Sequence, residues 1–172
     1  MTTPNPEITP KKAKKKQAKA ERKGNRALVL RFMKEGIGQG NLAVFDECLH
    51  PAVRVWTGLK PQGPIEGLAE YKQIFAGFAD AWPVRQFILD EMIATKDKVV
   101  VRFTAVAAFK KDYYGIAATN QIVEMMEVHV LTLKDGKVVS NIVSGTNFPF
   151  EFIMYPVLKE EVIGHLPLDT EA

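Results

Sequence analysis

The sequence predicts an α+β fold in which three helices precede four long strands, with the helices packed on one face of an antiparallel sheet so that the layers enclose a pocket. Three observations predict it. Apolar residues recur at helical spacing up to Pro83 and give way afterwards to runs rich in Val, Ile, Phe and Thr. The stretches Thr95 to Asp97 and Lys134 to Gly136 punctuate those runs as hairpin turns would. A chain of 172 residues, 47% hydrophobic against 25% charged, can also bury one sizeable core, which excludes a disordered or fibrous protein.

Residues 1 to 24 are read as a basic flexible tail. Three prolines occupy its first ten residues, and Lys11 to Lys23 then interleave lysines with Ala13, Ala18 and Ala20, which tolerates helix but buries nothing. The first amphipathic helix is predicted from Asn25 to Glu35, carrying Leu28, Leu30, Phe32 and Met33, with Gly36 as its stop. Asn41 reads as the N-cap of a short helix with Leu42, Phe45, Cys48 and Leu49, ending near His50 and Pro51. A short strand follows from Val53 to Trp56, then a Gly/Pro-rich loop from Gly58 to Gly67. Leu68, Tyr71, Ile74, Phe75 and Phe78 form the apolar face of a third helix. The long strands are predicted over Arg85 to Ala94, Lys98 to Phe109, Gln121 to Leu133 and Lys137 to Asn147. Residues 148 to 172 contain Phe148, Phe150, Phe152, Ile153, Met154 and Tyr155, an aromatic extension expected to cover the core, the pocket mouth or a partner subunit.

The net charge of +3 hides an asymmetry: residues 1 to 26 hold nine of the 23 Lys and Arg but only two of the 20 Asp and Glu, so the remainder is mildly acidic. Any nucleic-acid contact is therefore expected only through the Lys-rich tail, where no aromatic side chain offers a stacking platform. One cysteine, Cys48, excludes an internal disulfide, and no long apolar run suggests a membrane span, so a cytoplasmic location is expected. Three scattered histidines and the absence of a Gly-rich phosphate loop predict no metal and no organic cofactor.

Three segments of residues 25 to 147 carry a family resemblance: GNLAVFDECLHP from Gly40 to Pro51, WPVRQFILDEMIATKDKVVVRF from Trp82 to Phe103, and GIAAT from Gly115 to Thr119, joined by the turn DGKV from Asp135 to Val138. This pattern resembles the SnoaL-like polyketide and ester cyclases of the nuclear transport factor 2-like superfamily. The resemblance implies a cone-shaped curved antiparallel sheet with three N-terminal helices around an apolar pocket. It also implies a homodimer that acts on a hydrophobic small molecule by intramolecular aldol or ester chemistry, using a carboxylate or His and a pocket that stabilises an enolate. The chain departs from the family's polar set. The acid at the end of the last strand falls on Thr146, the His of the first strand on Trp56, the Asp after Pro83 on Val84, the Gly-Thr-His on Ala107, Ala108 and Phe109, and the Arg before the last turn on Thr132.

The leading remaining candidate, His129, lies on a predicted central strand. His129 stands two residues after Glu127, hence on the same sheet face, where a carboxylate can orient an imidazole as an acid/base. The alternation leaves open which face lines the pocket, and Met126, Val128 and Val130 on the other face are the better lining on hydropathy alone. Arg102 is either an oxyanion ligand or the partner of Glu91, Glu124 or Glu127. Asn141 and Asn147 are candidate donors to a carbonyl, and Tyr114 beside Tyr113 a candidate lid. Trp56, Phe109 and Thr146 complete the candidate substrate-binding set because they occupy positions that are polar in the family. A second reading is a catalytically degenerate ligand-binding or dimerisation module of the same fold.

Overall fold

The computed structural model describes residues 10–60 and 63–145. Thr146, Asn147 and the aromatic extension of 148–172 lie outside the described residues. The helices are α1 (Pro10–Arg31), α2 (Leu42–Cys48) and α3 (Leu68–Ala81). The strands are β1 (Leu49–Trp56), β2 (Ile65–Glu66), β3 (Val84–Ala94), β4 (Lys98–Ala108), β5 (Ile122–Lys134) and β6 (Lys137–Gly145).

Helix α1 passes through the boundary drawn at residue 24 without a break, as its Ala and Lys content permits. Nor does Gly36 stop it. The chain continues as a π-helical segment, Phe32–Ile37, in which Gly36 lets two rings close in: a Cβ there would sit 3.1 Å from the Phe32 ring and 3.2 Å from that of Phe45. Asn41 caps α2 as predicted, its side chain accepting from the Ala43 amide at 3.1 Å. Helix α2 buries Val44, Phe45 and Cys48. The Cys48 Sγ lies 3.8 Å from the Leu28 carbonyl, and burial pushes its thiol up. Native Cys48 is accordingly expected to resist a thiol reagent at pH 8 that labels the urea-unfolded chain at once, as followed by absorbance.

One correction concerns the sheet. Its order is β2-β1-β6-β5-β4-β3, and although the four long strands meander antiparallel, β1 runs parallel to β6. The sheet is therefore mixed. Pro51, which has no amide to give, falls in the irregular stretch of the β1–β6 ladder between Leu49 and Arg54. The strand β1 consequently starts four residues earlier than the sequence signals. The β5–β6 turn places Asp135 and Gly136 both at positive φ, 50° and 72°, the two-residue turn for which an Asp-Gly pair is suited.

Alternation along β4 turns Val99, Val101, Phe103, Ala105 and Ala107 inward, where they meet Phe45, Tyr71, Phe75, Phe78 and Trp82 from the helical side. Register shifts in the β3–β4, β5–β6 and β1–β6 ladders accompany the curl of the sheet, since each inserted residue bends and twists its strand. Helix α1 is tied to the β3–β4 end by Asn25, which donates to the Lys96 carbonyl at 2.7 Å, and Arg26, which donates to the Met92 carbonyl at 2.8 Å.

Candidate functional site

The concave face of the sheet and helix α3 enclose a cavity of about 40 Å³. Its walls are mostly apolar, with Ile37, Phe75, Phe78, Trp82, Phe103, Ala105, Met125 and Val143 among them, and four hydroxyl or titratable groups reach it: Thr57, Tyr71, Glu127 and His129.

The face of β5 is thereby settled, and hydropathy alone points to the wrong one. Met125, Glu127, His129 and Leu131 turn inward, while Met126, Val128 and Val130 lie half-buried on the outside. The inward set forms a chain of contacts. His129, 2% exposed, has its Nε2 3.0 Å from Oε2 of Glu127 and its Nδ1 3.1 Å from Nδ2 of Asn141. Asn141 comes from the neighbouring strand, β6, opposite Leu131, and is fully buried. Because the amide donates to Nδ1, Nε2 carries the hydrogen of the neutral ring and donates to the carboxylate. The Asn141 Oδ1 has no hydrogen-bond partner among the described residues. Rotating the amide by half a turn presents that oxygen to Nδ1 and suits the imidazolium, so Asn141 can serve either protonation state.

With both ring nitrogens engaged, His129 has no free atom to offer a ligand. Glu127 does. Its side chain keeps 22% exposure and lines the cavity, and among the described residues only its Oε2 has a partner, His129. Opposite it stands Tyr71 of α3, whose hydroxyl is pushed far up by burial, further by the Glu127 carboxylate, and back in part by the Asn141 amide. The phenol therefore stays protonated and is a donor at any ordinary pH. Tyr71 was legible only as one more apolar-face residue of α3; the signal that could have found it is a single hydroxyl within a stripe of Leu, Ile and Phe.

The Tyr71 shift has a consequence for stability. A phenol whose folded pKa is raised stabilises the fold fully below its unfolded pKa of about 10 and loses that contribution as pH rises beyond it. Urea midpoints measured from pH 9 upward are expected to fall more steeply for the wild type than for Tyr71→Phe; equal slopes would contradict the assignment.

The other candidates lie elsewhere. Arg102 is on the outer face, 43% exposed, with Nη1 3.8 Å from Oδ2 of Asp90; it sits opposite Glu91 in the ladder, but the β3 irregularity between Leu89 and Glu91 brings Asp90 to it instead. Trp56 also points outward, because Val53 and Val55 take the inward positions of β1, and its ring receives the Arg54 guanidinium at 5.1 Å. Thr57, the next residue, lines the cavity in its place. Phe109 is buried behind the wall, stacked on Trp82 at 4.3 Å with the rings 9° apart. Tyr114 stands at the rim, 58% exposed, its hydroxyl donating to the carbonyl of cavity-lining Leu59 at 2.7 Å. Among the described residues no three His, Cys, Asp or Glu converge as metal ligands, and no helix is long and apolar enough to cross a membrane.

A curled, unclosed sheet wrapped over three helices, with its ionisable pair on the concave face, is the nuclear transport factor 2-like architecture. Within it, the chain belongs to the SnoaL-like polyketide cyclase family, whose profile matches residues 27–144. Solved structures agree on the fold. A candidate SnoaL-like polyketide cyclase from Jannaschia sp. CCS1 superposes with a TM-score of 0.67 at 21% identity, covering 84% of this chain and 92% of its own. AclR of Streptomyces galilaeus, a candidate hydroxylase, gives 0.64 at 23%, covering 85% and 99%. IdmH of Streptomyces antibioticus, a candidate polyketide cyclase, gives 0.62 at 16%, covering 72% and 92%. No curated protein matches the chain by sequence.

Proposed function

We propose that the protein is a cyclase or isomerase acting on a hydrophobic carbonyl compound, of polyketide type, by proton abstraction next to the carbonyl. One observation carries the reading: an apolar cavity presents a single carboxylate, Glu127, held from behind by the buried His129–Asn141 pair and faced by the protonated Tyr71 hydroxyl. In this reading the roles expected from the sequence are exchanged. Glu127 moves the proton and His129 positions it.

The steps follow from the groups present. Glu127 Oε1 takes a proton from the carbon α to the carbonyl, and the electron pair of that C–H bond becomes the enolate. Tyr71 donates a hydrogen bond to the enolate oxygen, and the apolar walls keep water from competing for it. The enolate carbon then attacks a second carbonyl of the same molecule, forming the C–C bond, and the new alkoxide recovers the proton from Glu127. For an isomerisation the proton returns to a different carbon instead. The resemblance puts the family's own acid at Thr146, whereas this carboxylate reaches the cavity from β5.

A cavity of about 40 Å³ holds a few waters, not a polyketide, so the rim must open for a substrate. The apolar or neutral residues Trp56, Val84, Phe109 and Thr146 at positions that are polar in the family favour a second reading, a binding module without turnover. Following α-hydrogen exchange in D2O by NMR over a panel of aryl ketones and β-keto esters separates the two. Exchange above the buffer rate supports the enzyme; ligand-induced shifts of cavity resonances with no exchange would replace it by the binding module.

A further inference from the structure

The basic segment that opens the chain is not distributed evenly around its helix. Between Lys11 and Lys23 there are eight Lys or Arg side chains, all exposed. At 3.6 residues per turn, Lys11, Lys12, Lys15, Lys16, Lys19, Arg22 and Lys23 fall within roughly 140° of the circumference, and only Lys14 lies outside that arc. The half-buried positions Ala18, Glu21, Asn25 and Leu28 follow a different side. Between Lys11 and Lys23 the stripe therefore lies clear of the half-buried side of the helix; only beyond it, at Val29, does α1 turn the stripe's own side into the core. None of its seven cations has a carboxylate partner among the described residues, although the rest of the chain has acidic residues in excess. Asn25 and Arg26 fasten the helix to the β3–β4 end just beyond the stripe, so the array is presented on a docked helix.

We infer that this stripe is a docking surface for the phosphate backbone of double-stranded nucleic acid. The stripe runs about 18 Å at 1.5 Å per residue, long enough to follow several successive phosphates. An α-helix also fits the roughly 12 Å width of a B-form major groove, with both flanks of the arc toward the strands. A membrane surface is the poorer partner: an interfacial helix needs Leu, Phe or Trp opposite its cations, and here that side carries Ala13, Gln17, Ala20 and Gly24. Recognition would be largely independent of base sequence, because the cations are matched to the uniform charge of the phosphates and no aromatic side chain on the stripe stacks on bases.

The test uses the full chain and a fluorescent 30-base-pair duplex of arbitrary sequence, with anisotropy titrations between about 50 and 200 mM salt. The wild type is expected to bind with a log–log salt slope of several units, and the triple variant Lys11→Gln, Lys15→Gln, Lys19→Gln to lose roughly 0.9 from that slope per removed contact and at least tenfold in affinity. Lys14→Gln, off the stripe, and Lys134→Gln, in the β5–β6 turn, should each leave binding within about twofold. Helical circular dichroism guards against loss of α1, since Gln is as good a helix former as Lys. No duplex binding at 50 mM salt, equal binding by the triple variant, or retention on phosphatidylserine vesicles in place of duplex would each overturn the inference.

Discussion

Under the proposed mechanism, replacing Glu127 by Gln is expected to lower turnover about 10²–10⁴-fold, some 3–5 kcal/mol of transition-state stabilisation, with the fold intact. The amide keeps the carboxylate's shape and still accepts from His129 Nε2, so the hydrogen bond at 3.0 Å and the Asn141 contact behind it survive. What disappears is the group that can take a proton. His129→Gln makes the contrasting variant: its side-chain amide can still donate toward Glu127, so a positioning role predicts a loss of about tenfold or less. The order of the two effects is the measurement. If His129→Gln abolishes α-hydrogen exchange while Glu127→Gln leaves it, the imidazole is the base and the two roles are reversed.

The same pair shows what the sequence displays and what it hides. Period two places Glu127 and His129 on one face of β5 without any structure, and it equally places Met126, Val128 and Val130 on the other. Deciding between faces needs the neighbours. Across β4, His129 lies opposite Val101 and Glu127 opposite Phe103, both fully or almost fully buried, so the polar pair belongs to the inside. Hydropathy misleads here because a half-buried outer face can be as apolar as a cavity wall. The third member, Asn141, was visible as a polar residue of β6, but its meeting with His129 depends on the register shift at Thr132 and Leu133. Turns were read more surely than sites, since the Asp135-Gly136 turn is decided by local backbone freedom. Arg102 and Trp56 failed as pocket residues for the converse reason: their chemistry suited a ligand, and the alternation of β4 and β1 points them outward.

The largest stability effect should come from the cavity wall. Trp82 is 1% exposed at the C-terminal end of α3 and stacks on Phe109 just beyond β4, so the pair bolts the helix to the sheet at the point where the chain passes between them. The backbone reinforces that corner, with the Trp82 amide donating to the Phe78 carbonyl at 2.8 Å and the Lys110 amide to that of Ala81 at 2.8 Å. Those bonds hold the void open when the indole is removed, so little collapse can offset it, and Trp82→Ala is expected to cost about 3–5 kcal/mol in urea unfolding. That is a large share of the roughly 5–15 kcal/mol a domain commands. Part of the loss belongs to the ring pair rather than to burial, so a cycle with Phe109→Ala should return a coupling of about 0.5–1.5 kcal/mol. Strict additivity of the two substitutions would mean that the rings fill space independently. In that case the stack would not be what fixes this corner of the cavity wall.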